Sequence, residues 1–383
     1  MEIRRTYKYR MNRTGRRNRK LHNQIDIAGM IWNRCVALQR RYYKLTGKYI
    51  SEKRLKSHIA HLRRDVPRFS YWQKLNSQTV QEVIERLHKA YLRFFAGQAG
   101  RPHFKKVKKY HSFTLKQSGW KLLNNNKIRV GNTTHKFIKH RDIPGKIKTI
   151  TIKRDQLGRL WICFSVVENA PQFVEASTGK IGGFDFGLKT FLTNDQGKSY
   201  LNPQFFKRNQ REIAKCNRVL SRKQKNSRNR QRAKRKLSRA HIRIADKRRD
   251  YHFKLANKLC AKYEWLFFET LNLDGMKRLW GRKVGDLGFG DFLQRLNHTA
   301  KLRGAMVGFI GRFEPSSKRC SQCGCVKKEL LLSERVYTCK ECGLSIDRDH
   351  NAARNIVWVG ASTQGLEVVS RSDGVFLNER RLV

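Results

Sequence analysis

Acidic residues are scarce in this sequence. Its 383 residues include 85 Lys and Arg but only 29 Asp and Glu, which gives a formal net charge of +56. Such an imbalance makes a compact protein repel itself, and a polyanion relieves the repulsion when its phosphates neutralise Lys and Arg and release condensed counterions. The composition therefore favours nucleic acid as the partner.

Long apolar runs are also missing. No stretch is long and apolar enough to span a bilayer, and the first residues do not follow the pattern of a signal peptide. An anionic membrane surface is therefore the weaker explanation of the charge, and we expect no membrane partner. The nine cysteines lack the even spacing of a secreted disulfide framework, which favours a reducing cytosol.

Four of the nine cysteines form two Cys-x-x-Cys pairs. Cys320 and Cys323 are separated from Cys339 and Cys342 by a loop of about 15 residues. Each pair can hold an ion from one tight turn, and four thiolates at this spacing are typical of a structural zinc site. We predict a zinc ribbon over residues 317–345. The other five cysteines are predicted to be small packing residues: Cys35, Cys163, Cys216, Cys260 and Cys325.

The first half of the chain changes from helical to strand patterns. Residues 1–20 predict one strand followed by a basic segment. Apolar residues within 21–97 recur at helical spacing and predict a three-helix bundle, whose third helix Asn76 or Ser77 would cap. Residues 98–176 favour short strands, which predict a small β-barrel or open sheet completed by the first strand.

The second half predicts an α/β layout over residues 177–316, followed by the ribbon and a last helix in 346–360. Residues 201–250 contain 19 Lys and Arg against 3 acidic residues. Because a thin apolar seam accompanies this charge, we predict a basic helix hairpin over 205–262 that lies along nucleic acid. The tail, residues 361–383, has no period and is predicted to be disordered.

Three acidic residues occupy comparable points in this layout. Asp185 lies in a strand among glycines, Glu269 ends another strand, and Asp349 begins the last helix. Carboxylates that converge repel one another unless cations lie between them, and hard oxygen ligands select Mg²⁺ or Mn²⁺. If the three side chains converge, two such ions could support hydrolysis of a phosphodiester.

Alternatives remain open for each of these acids. Asp185 could be an ordinary turn residue. Asp349 could be a helix N-cap, and Asp347 could be either the cap or the metal ligand. Glu264 competes more weakly with Glu269, because it precedes the apolar strand.

Four motifs together resemble the TnpB family of transposon-encoded RNA-guided nucleases, which are related to the miniature type V CRISPR effectors. They are Gly-Phe-Asp-Phe-Gly (183–187), Phe-Glu-Thr-Leu-Asn (268–272), Ser-Lys-Arg-Cys-Ser-Gln-Cys-Gly (317–324) and Asp-Arg-Asp-His-Asn-Ala-Ala (347–353). The resemblance covers nearly the whole chain, and residues 100–113 resemble the family's Gly-x-Pro-x-Phe-Lys entry. Thr270 stands where an acid commonly follows the glutamate, and His350 fills a variable position.

The resemblance implies a multidomain α+β fold. Residues 1–20 and 98–176 would form a wedge β-barrel, into which the helical recognition bundle 21–97 is inserted. An RNase H-like RuvC nuclease domain would follow in 177–316, with the zinc ribbon inserted before its last motif in 346–360. The resemblance also implies that Asp185, Glu269 and Asp349 are the catalytic metal ligands.

The implied activity is that of an RNA-guided DNA endonuclease. One chain would hold a structured guide RNA and cut matching double-stranded DNA beside a short motif, by two-metal-ion hydrolysis with Mg²⁺ or Mn²⁺. The expected setting is the cytoplasm of a prokaryote, at the nucleoid when the protein is on DNA. The alternative is an RNA-guided repressor without catalysis, and a transposase that itself excises DNA is favoured less.

Overall fold

Residues 2–124, 126–169, 179–331, 333–371 and 374–378 are described by the computed structural model of the chain. The chain divides into two units, residues 1–171 and 172–383. Each unit has hydrophobic clusters of its own, as expected of separately folded domains. The predicted linker between Pro171 and Gly179 lies almost wholly outside the described residues.

The first unit contains the predicted three α-helices. They are α1 (Gly15–Thr46), α2 (Glu52–Asp65) and α3 (Ser77–Phe95), accompanied by 3-10 helices at Pro67–Lys74 and Val107–Lys109. Asn76 caps α3, because its side chain accepts a hydrogen bond from the backbone N–H of Gln78 at 2.9 Å. The helix α1 begins earlier than the expected start at residue 21. The sequence did not predict this start, because the first turns are polar and basic and show no apolar periodicity.

The strands of the first unit form one antiparallel sheet. They are β1 (Glu2–Met11), β2 (Ser112–Leu115), β3 (Trp120–Asn124), β4 (Lys127–Val130), β5 (Thr133–Ile138), β6 (Lys146–Arg154) and β7 (Leu160–Asn169). Their order is β2-β6-β7-β1-β5-β4-β3, so the first strand completes the sheet as predicted. Within the described residues no pairing joins β2 to β3, so the sheet is close to a barrel without a hydrogen-bonded closure between these two strands.

The second unit is built around a mixed sheet of order β10-β9-β8-β11-β12. Its elements are β8 (Lys180–Phe186), β9 (Thr190–Asn194), β10 (Ser199–Leu201), α4 (Phe205–Arg208), α5 (Gln210–Ser221), α6 (Arg228–Lys262), β11 (Trp265–Glu269), α7 (Leu273–Leu287), α8 (Phe289–Arg303), β12 (Met306–Ile310), β13 (Val336–Thr338), β14 (Ser345–Asp347), α9 (Arg348–Thr363), β15 (Val368–Arg371) and β16 (Gly374–Leu377). Strands β8, β11 and β12 run parallel. The helix α7 was not predicted, because its three glycines weaken the helical signal and Gly281 has non-helical backbone angles.

Helices cover this sheet on both faces. Phe184 and Phe268 pack on one face against α6 and α8. Ile181 and Phe267 pack on the other face against α9. Gly183 allows α9 to approach closely, because a Cβ at this position would collide with the backbone of the helix. Alternate residues of β8 and β11 therefore point toward α9.

The predicted basic hairpin is formed by α5 and α6. The two helices pack through a small cluster that includes Ile213 and Ile244. Asn226, with a φ of 66°, lies in the bend, and the Ser227 side chain caps α6 by accepting from the N–H of Arg230 at 3.0 Å. Although α6 has 35 residues, no helix in the described ranges is both long and apolar enough to cross a membrane.

The prediction of a disordered tail is wrong for most of residues 361–378. The helix α9 continues to Thr363, and β15 and β16 form a hairpin. Strand β16 pairs with β8 through Val375 and Ile181, and Val375 is only 6% exposed. Strands of four residues are too short to show an alternating pattern, so their order depends on the distant strand that they join. Residues 379–383 lie outside the described residues.

Val375→Asp should destabilise the second unit, because it buries an unpaired carboxylate between the sheet and α9. We expect the free energy of unfolding in urea to fall by about 3 kcal/mol or more. Ser370→Asp is the matched control, since Ser370 is the exposed partner of Val375 across the hairpin, and it should change the stability by no more than about 0.5 kcal/mol. Equal stability of the two variants would contradict a packed tail.

Candidate functional site

Asp185 and Glu269 lie side by side at the ends of two parallel strands. Strand β11 pairs with β8 so that Phe268 is opposite Phe184, and the next residues in this register are Glu269 and Asp185. Neighbouring strands are about 4.8 Å apart. Both acidic side chains point toward α9, because they follow phenylalanines that pack on the opposite face.

The helix α9 brings Asp349 to the same place. Its first turn carries Asp349, and its second and third turns pack over Gly183 on β8. The negative charges of Asp349 and Glu269 both raise the pKa of Asp185, so both carboxyl groups lie close enough to repel that of Asp185. The structure thus brings together the three acids that the sequence singled out.

Crowding and burial make the ionised form of these acids unfavourable. Burial raises the pKa of Asp185 well above its usual value, and the two neighbouring carboxylates raise it further. Burial raises the pKa of Glu269. Burial and the negative charge of Asp347 raise the pKa of Asp349, and the cations Arg335, Arg348 and Lys189 partly oppose that rise. Divalent cations between these oxygens would remove the repulsion, and carboxylates are the ligands that Mg²⁺ and Mn²⁺ prefer. The residues therefore fit such ions.

Asp347 and Asp349 have different environments within α9. The Oδ1 atom of Asp347 accepts hydrogen bonds from the backbone N–H groups of Asp349 and His350, at 2.9 and 3.0 Å. Asp347 is therefore the N-cap of the helix, and the carboxyl group of Asp349 is not needed for capping. That carboxyl group acts on Asp185 instead.

Two other residues that were considered from the sequence lie outside the acidic cluster. Glu264 is at the opposite end of β11 from Glu269, where its carboxylate accepts a hydrogen bond from the N–H of Gly179 at 3.1 Å. Thr270 donates its hydroxyl hydrogen to the carbonyl oxygen of Ile310 at 2.7 Å. Thr270 thus joins the ends of β11 and β12 beside the site.

A link between the β9–β10 turn and α9 was not predicted. The Nε2 atom of His350 lies 2.9 Å from the carbonyl oxygen of Asp195, which can only accept, so Nε2 carries the hydrogen. The Asp195 carboxylate in turn accepts from the N–H of Gly183 at 3.3 Å, and burial raises the pKa of Asp195 to about 6. This link holds the start of α9 against β8, near Asp185. The sequence did not reveal this link, because aspartate is common in turns and Asp195 therefore did not stand out.

The four cysteines of the two Cys-x-x-Cys pairs converge as predicted. Their sulfur atoms all lie within 4.8 Å of one another. The Sγ atoms of Cys320 and Cys342 are 3.6 Å apart, as are those of Cys323 and Cys339. Four sulfurs bound to one zinc ion at about 2.3 Å lie about 3.8 Å from each other, so this donor set fits zinc.

Asparagines of α9 fasten the cysteine cluster to the helix. Asn351 donates to the carbonyl oxygen of Arg319 at 2.7 Å and accepts from the N–H of Ser321 at 3.0 Å. Asn355 also donates to the Arg319 carbonyl, at 2.7 Å. The backbone on both sides of Cys320 is therefore fixed to the helix that carries Asp349.

The prediction for the other five cysteines holds in part. Cys35, Cys216 and Cys260 are buried, and burial raises the pKa of Cys35 to about 12. Cys163 is half-buried. Cys325 is exposed, so its predicted packing role is wrong; it lies just beyond the turn of the first cysteine pair.

Two family models match the chain over adjacent ranges. The model described as "Probable transposase" matches residues 164–279, which include Asp185 and Glu269. The Cas12f1-like TNB domain model matches residues 289–356, which include the four clustered cysteines and Asp349.

Individual relatives extend these matches. A Streptomyces pristinaespiralis protein, provisionally named an RNA-guided DNA endonuclease, is 27% identical over 368 residues, covering 94% of this chain and 90% of its own length. The TnpB-like protein L79 of Acanthamoeba polyphaga mimivirus is 30% identical over 229 residues, covering 56% of this chain and 43% of its own. The structure of the mini-RNA-guided endonuclease CRISPR-Cas phi3 matches in fold, with a TM-score of 0.55 and 10% identity, over 94% of this chain and 92% of its own. These matches confirm the resemblance stated from the motifs.

Cys320→Ser and Cys339→Ser should weaken zinc retention, because each removes a ligand from a site whose folding depends on the metal. We expect the zinc affinity, measured by competition with a chelator, to fall about tenfold or more. Cys325→Ser is the matched control, since Cys325 is exposed and lies outside the sulfur cluster. Unchanged zinc affinity in either cluster variant would contradict the assignment.

Asp185→Asn should stabilise the zinc-loaded protein when Mg²⁺ is left out. The raised pKa means that the folded state binds a proton that the unfolded state releases, so wild-type stability is lost as pH rises through the raised value. The variant should therefore melt a few degrees higher at neutral pH, and the difference should shrink on acidification.

Thermal unfolding over a pH series measures this difference. Asp274→Asn is the control, because the Asp274 side chain is 90% exposed. A stabilisation by Asp185→Asn that does not depend on pH would argue against carboxylate crowding.

Proposed function

We propose, on the premise that the chain is a TnpB-family protein, that it is an RNA-guided DNA endonuclease. The observation that carries the proposal is the electrostatic coupling of Asp185 with Glu269 and Asp349 at one end of the central sheet. A protein that only bound nucleic acid would gain nothing from placing two carboxylates where they raise the pKa of a third, buried one. Crowded carboxylates lower the stability of the folded protein, and this loss is explained if the carboxylates hold catalytic cations.

The partners follow from charge and from the relatives. A formal charge of +56 suits a structured guide RNA and double-stranded DNA. The relatives carry names of RNA-guided DNA endonucleases, which supports the same class of partner for this chain. In this proposal one chain holds one guide RNA, and the guide pairs with the target strand beside a short DNA motif.

The proposed division of labour follows the two units. Residues 1–20 and 98–176 would serve as the wedge, and the helices within 21–97 as the recognition bundle. The second unit would be the RuvC-like nuclease, formed by residues 177–316 and 346–360 and interrupted by the ribbon 317–345. In this division the first unit would recognise nucleic acid, and the second unit would cleave it.

Asp185, Glu269 and Asp349 would hold two Mg²⁺ or Mn²⁺ ions. When bound, the ions would favour ionisation of a water molecule and stabilise the leaving 3′ oxygen of the phosphodiester. The chain itself orients these acids: Asp347 fixes the first turn of α9, and His350 ties that turn to the sheet. Zinc held by Cys320, Cys323, Cys339 and Cys342 would be structural, since all four positions are filled by protein.

Two substitutions separate the metal ligand from the helix cap. Asp349→Asn should reduce Mg²⁺-dependent cleavage of matching DNA by about 100-fold or more, because it removes a ligand charge. Asp347→Asn should leave cleavage within about threefold of wild type, because Asn caps a helix as well as Asp. Cleavage rates of the purified RNA complexes with a matching plasmid measure both effects.

Three outcomes are informative. Loss of cleavage in Asp347→Asn with normal cleavage in Asp349→Asn would exchange the two roles. A complex that holds a discrete RNA and occupies the matching DNA without cutting it in Mg²⁺ would show an RNA-guided repressor instead. RNA binding should survive in Asp185→Ala, Glu269→Ala and Asp349→Ala, and its loss would indicate that the acids serve folding.

A further inference from the structure

A cavity of about 660 Å³ in the first unit has no role in the activity proposed above. It lies between the helices and the sheet, and Leu21, Ile27, Phe113, Leu115 and Val130 contribute apolar wall. Ten of its eighteen lining residues are polar. Its volume lies within the range of about 300–1,000 Å³ that is typical of small-molecule sites. Its volume far exceeds what a single buried water requires.

Three polar atoms of residues on this wall have no hydrogen-bond partner among the described residues. They are Oε1 of Gln24, Oγ1 of Thr79 and Nδ1 of His135, and all three are shielded from solvent. The Gln24 amide is oriented by the bond from its Nε2 to the Lys74 carbonyl oxygen at 3.0 Å, which leaves Oε1 as an acceptor. Unpaired buried polar atoms are unfavourable. Because these atoms have almost no exposed surface, the donors and acceptors of a ligand in the cavity would pair with them only if the side chains rotate.

His135 offers both kinds of group. It is 3% exposed, and burial together with the charges of Arg17 and Lys20 lowers its pKa to about 4. The ring is therefore neutral at pH 7 and has one donor and one acceptor nitrogen. Thr79, which is fully buried, adds a hydroxyl group that can donate or accept.

The charge around the cavity selects an anionic ligand. Lys20 and Lys74 on the lining are exposed, and the lining contains no acidic residue. Arg17 lies beside it, where its guanidinium donates to the carbonyl oxygen of Thr134 at 3.3 Å. Phosphate would lie at this basic side, and a flat ring with a polar edge would fit the apolar interior.

We propose that this cavity receives one unstacked nucleobase of a bound nucleic acid strand, with the flanking phosphates at Lys20 and Lys74. The polar edge of the base would pair with Gln24, Thr79 and His135. These contacts would offset the few kcal/mol that unstacking a base costs. The inference rests on the proposed function only in taking nucleic acid as the ligand.

Thr133→Trp tests the cavity by filling it. Thr133 lines the cavity, whereas the next residue of β5, Thr134, points to the other face of the strand and makes Thr134→Trp a matched control. Thr79→Val is a second variant that removes only the hydroxyl group. All proteins carry Asp185→Ala so that cleavage does not interfere with binding.

Dissociation constants are measured for a single-stranded RNA and a single-stranded DNA of the same mixed sequence, at raised salt to weaken charge-driven binding. Thr133→Trp should weaken binding of at least one strand about tenfold, and Thr79→Val about threefold or more. Thr134→Trp should stay within about twofold of the parent protein. If Thr133→Trp weakens binding of the RNA strand alone or of the DNA strand alone, the affected strand is the source of the base.

Photocrosslinking locates the base directly. Strands with 5-iodouracil should crosslink to peptides that contain Phe113 or His135, and Thr133→Trp should abolish these crosslinks. Equal binding by both Trp variants, or crosslinks confined to other peptides, would overturn the proposal and leave a cavity that holds only water. Cleavage by the wild-type protein is assayed separately from binding. If the matching target is not cut, the proposed nuclease activity is refuted, but the binding and crosslinking results still decide whether the cavity receives a base.

Discussion

The contact between α9 and the central sheet of the second unit is the constraint on which the candidate site depends. A side chain at Gly183 would collide with the helix backbone, and one at Gly360 would collide with the ring of Phe267. With hydrogen at both positions, α9 lies directly on β8 and β11. The first turn of the helix is then close enough for Asp349 to raise the pKa of Asp185. A wider spacing would separate the carboxylates and lose the site.

The same contact concentrates negative charge, and the surrounding structure must oppose the repulsion. The hydrogen bonds of Asp347 hold the helix start, and the His350–Asp195 link ties that start to the neighbouring turn. Arg348 and Lys189 counter the charge of Asp349. These interactions fix the acids in position before any cation binds. In the proposed nuclease, such preorganisation would let the site bind cations without rearranging.

The sequence predicted the parts of this arrangement that depend on local patterns. The cysteine spacing identified the sulfur cluster, because two tight turns and one ion leave little freedom. The acids were recognised at strand ends and at a helix start, and Asp185 stood out as a carboxylate between apolar neighbours. The motifs linked these positions to one family. All of these signals are read within a few neighbouring residues.

What the sequence could not predict depends on contacts between distant residues. In the sequence, Asp195 looks like an ordinary turn residue. Its role depends on the contact with His350, which lies far along the chain. The strand that contains Val375 is too short to show alternation, and its order follows from pairing with Ile181. The choice between Asp347 and Asp349 was also open, because both are aspartates near the start of the helix and either could cap it. Only the observed hydrogen bonds assign the cap to Asp347.

The helix α9 also connects the cysteine ribbon with the acidic cluster. Its asparagines fasten the cysteine cluster, and its first turn supplies Asp349. Soft thiolates prefer zinc, whereas hard carboxylates prefer Mg²⁺ or Mn²⁺, so the two proposed sites would select different metals. Zinc that fixes the ribbon would also restrain the helix, and through it the position of Asp349. In the proposed nuclease, the ribbon would thus act at a distance from the chemistry, by limiting where one carboxylate can be.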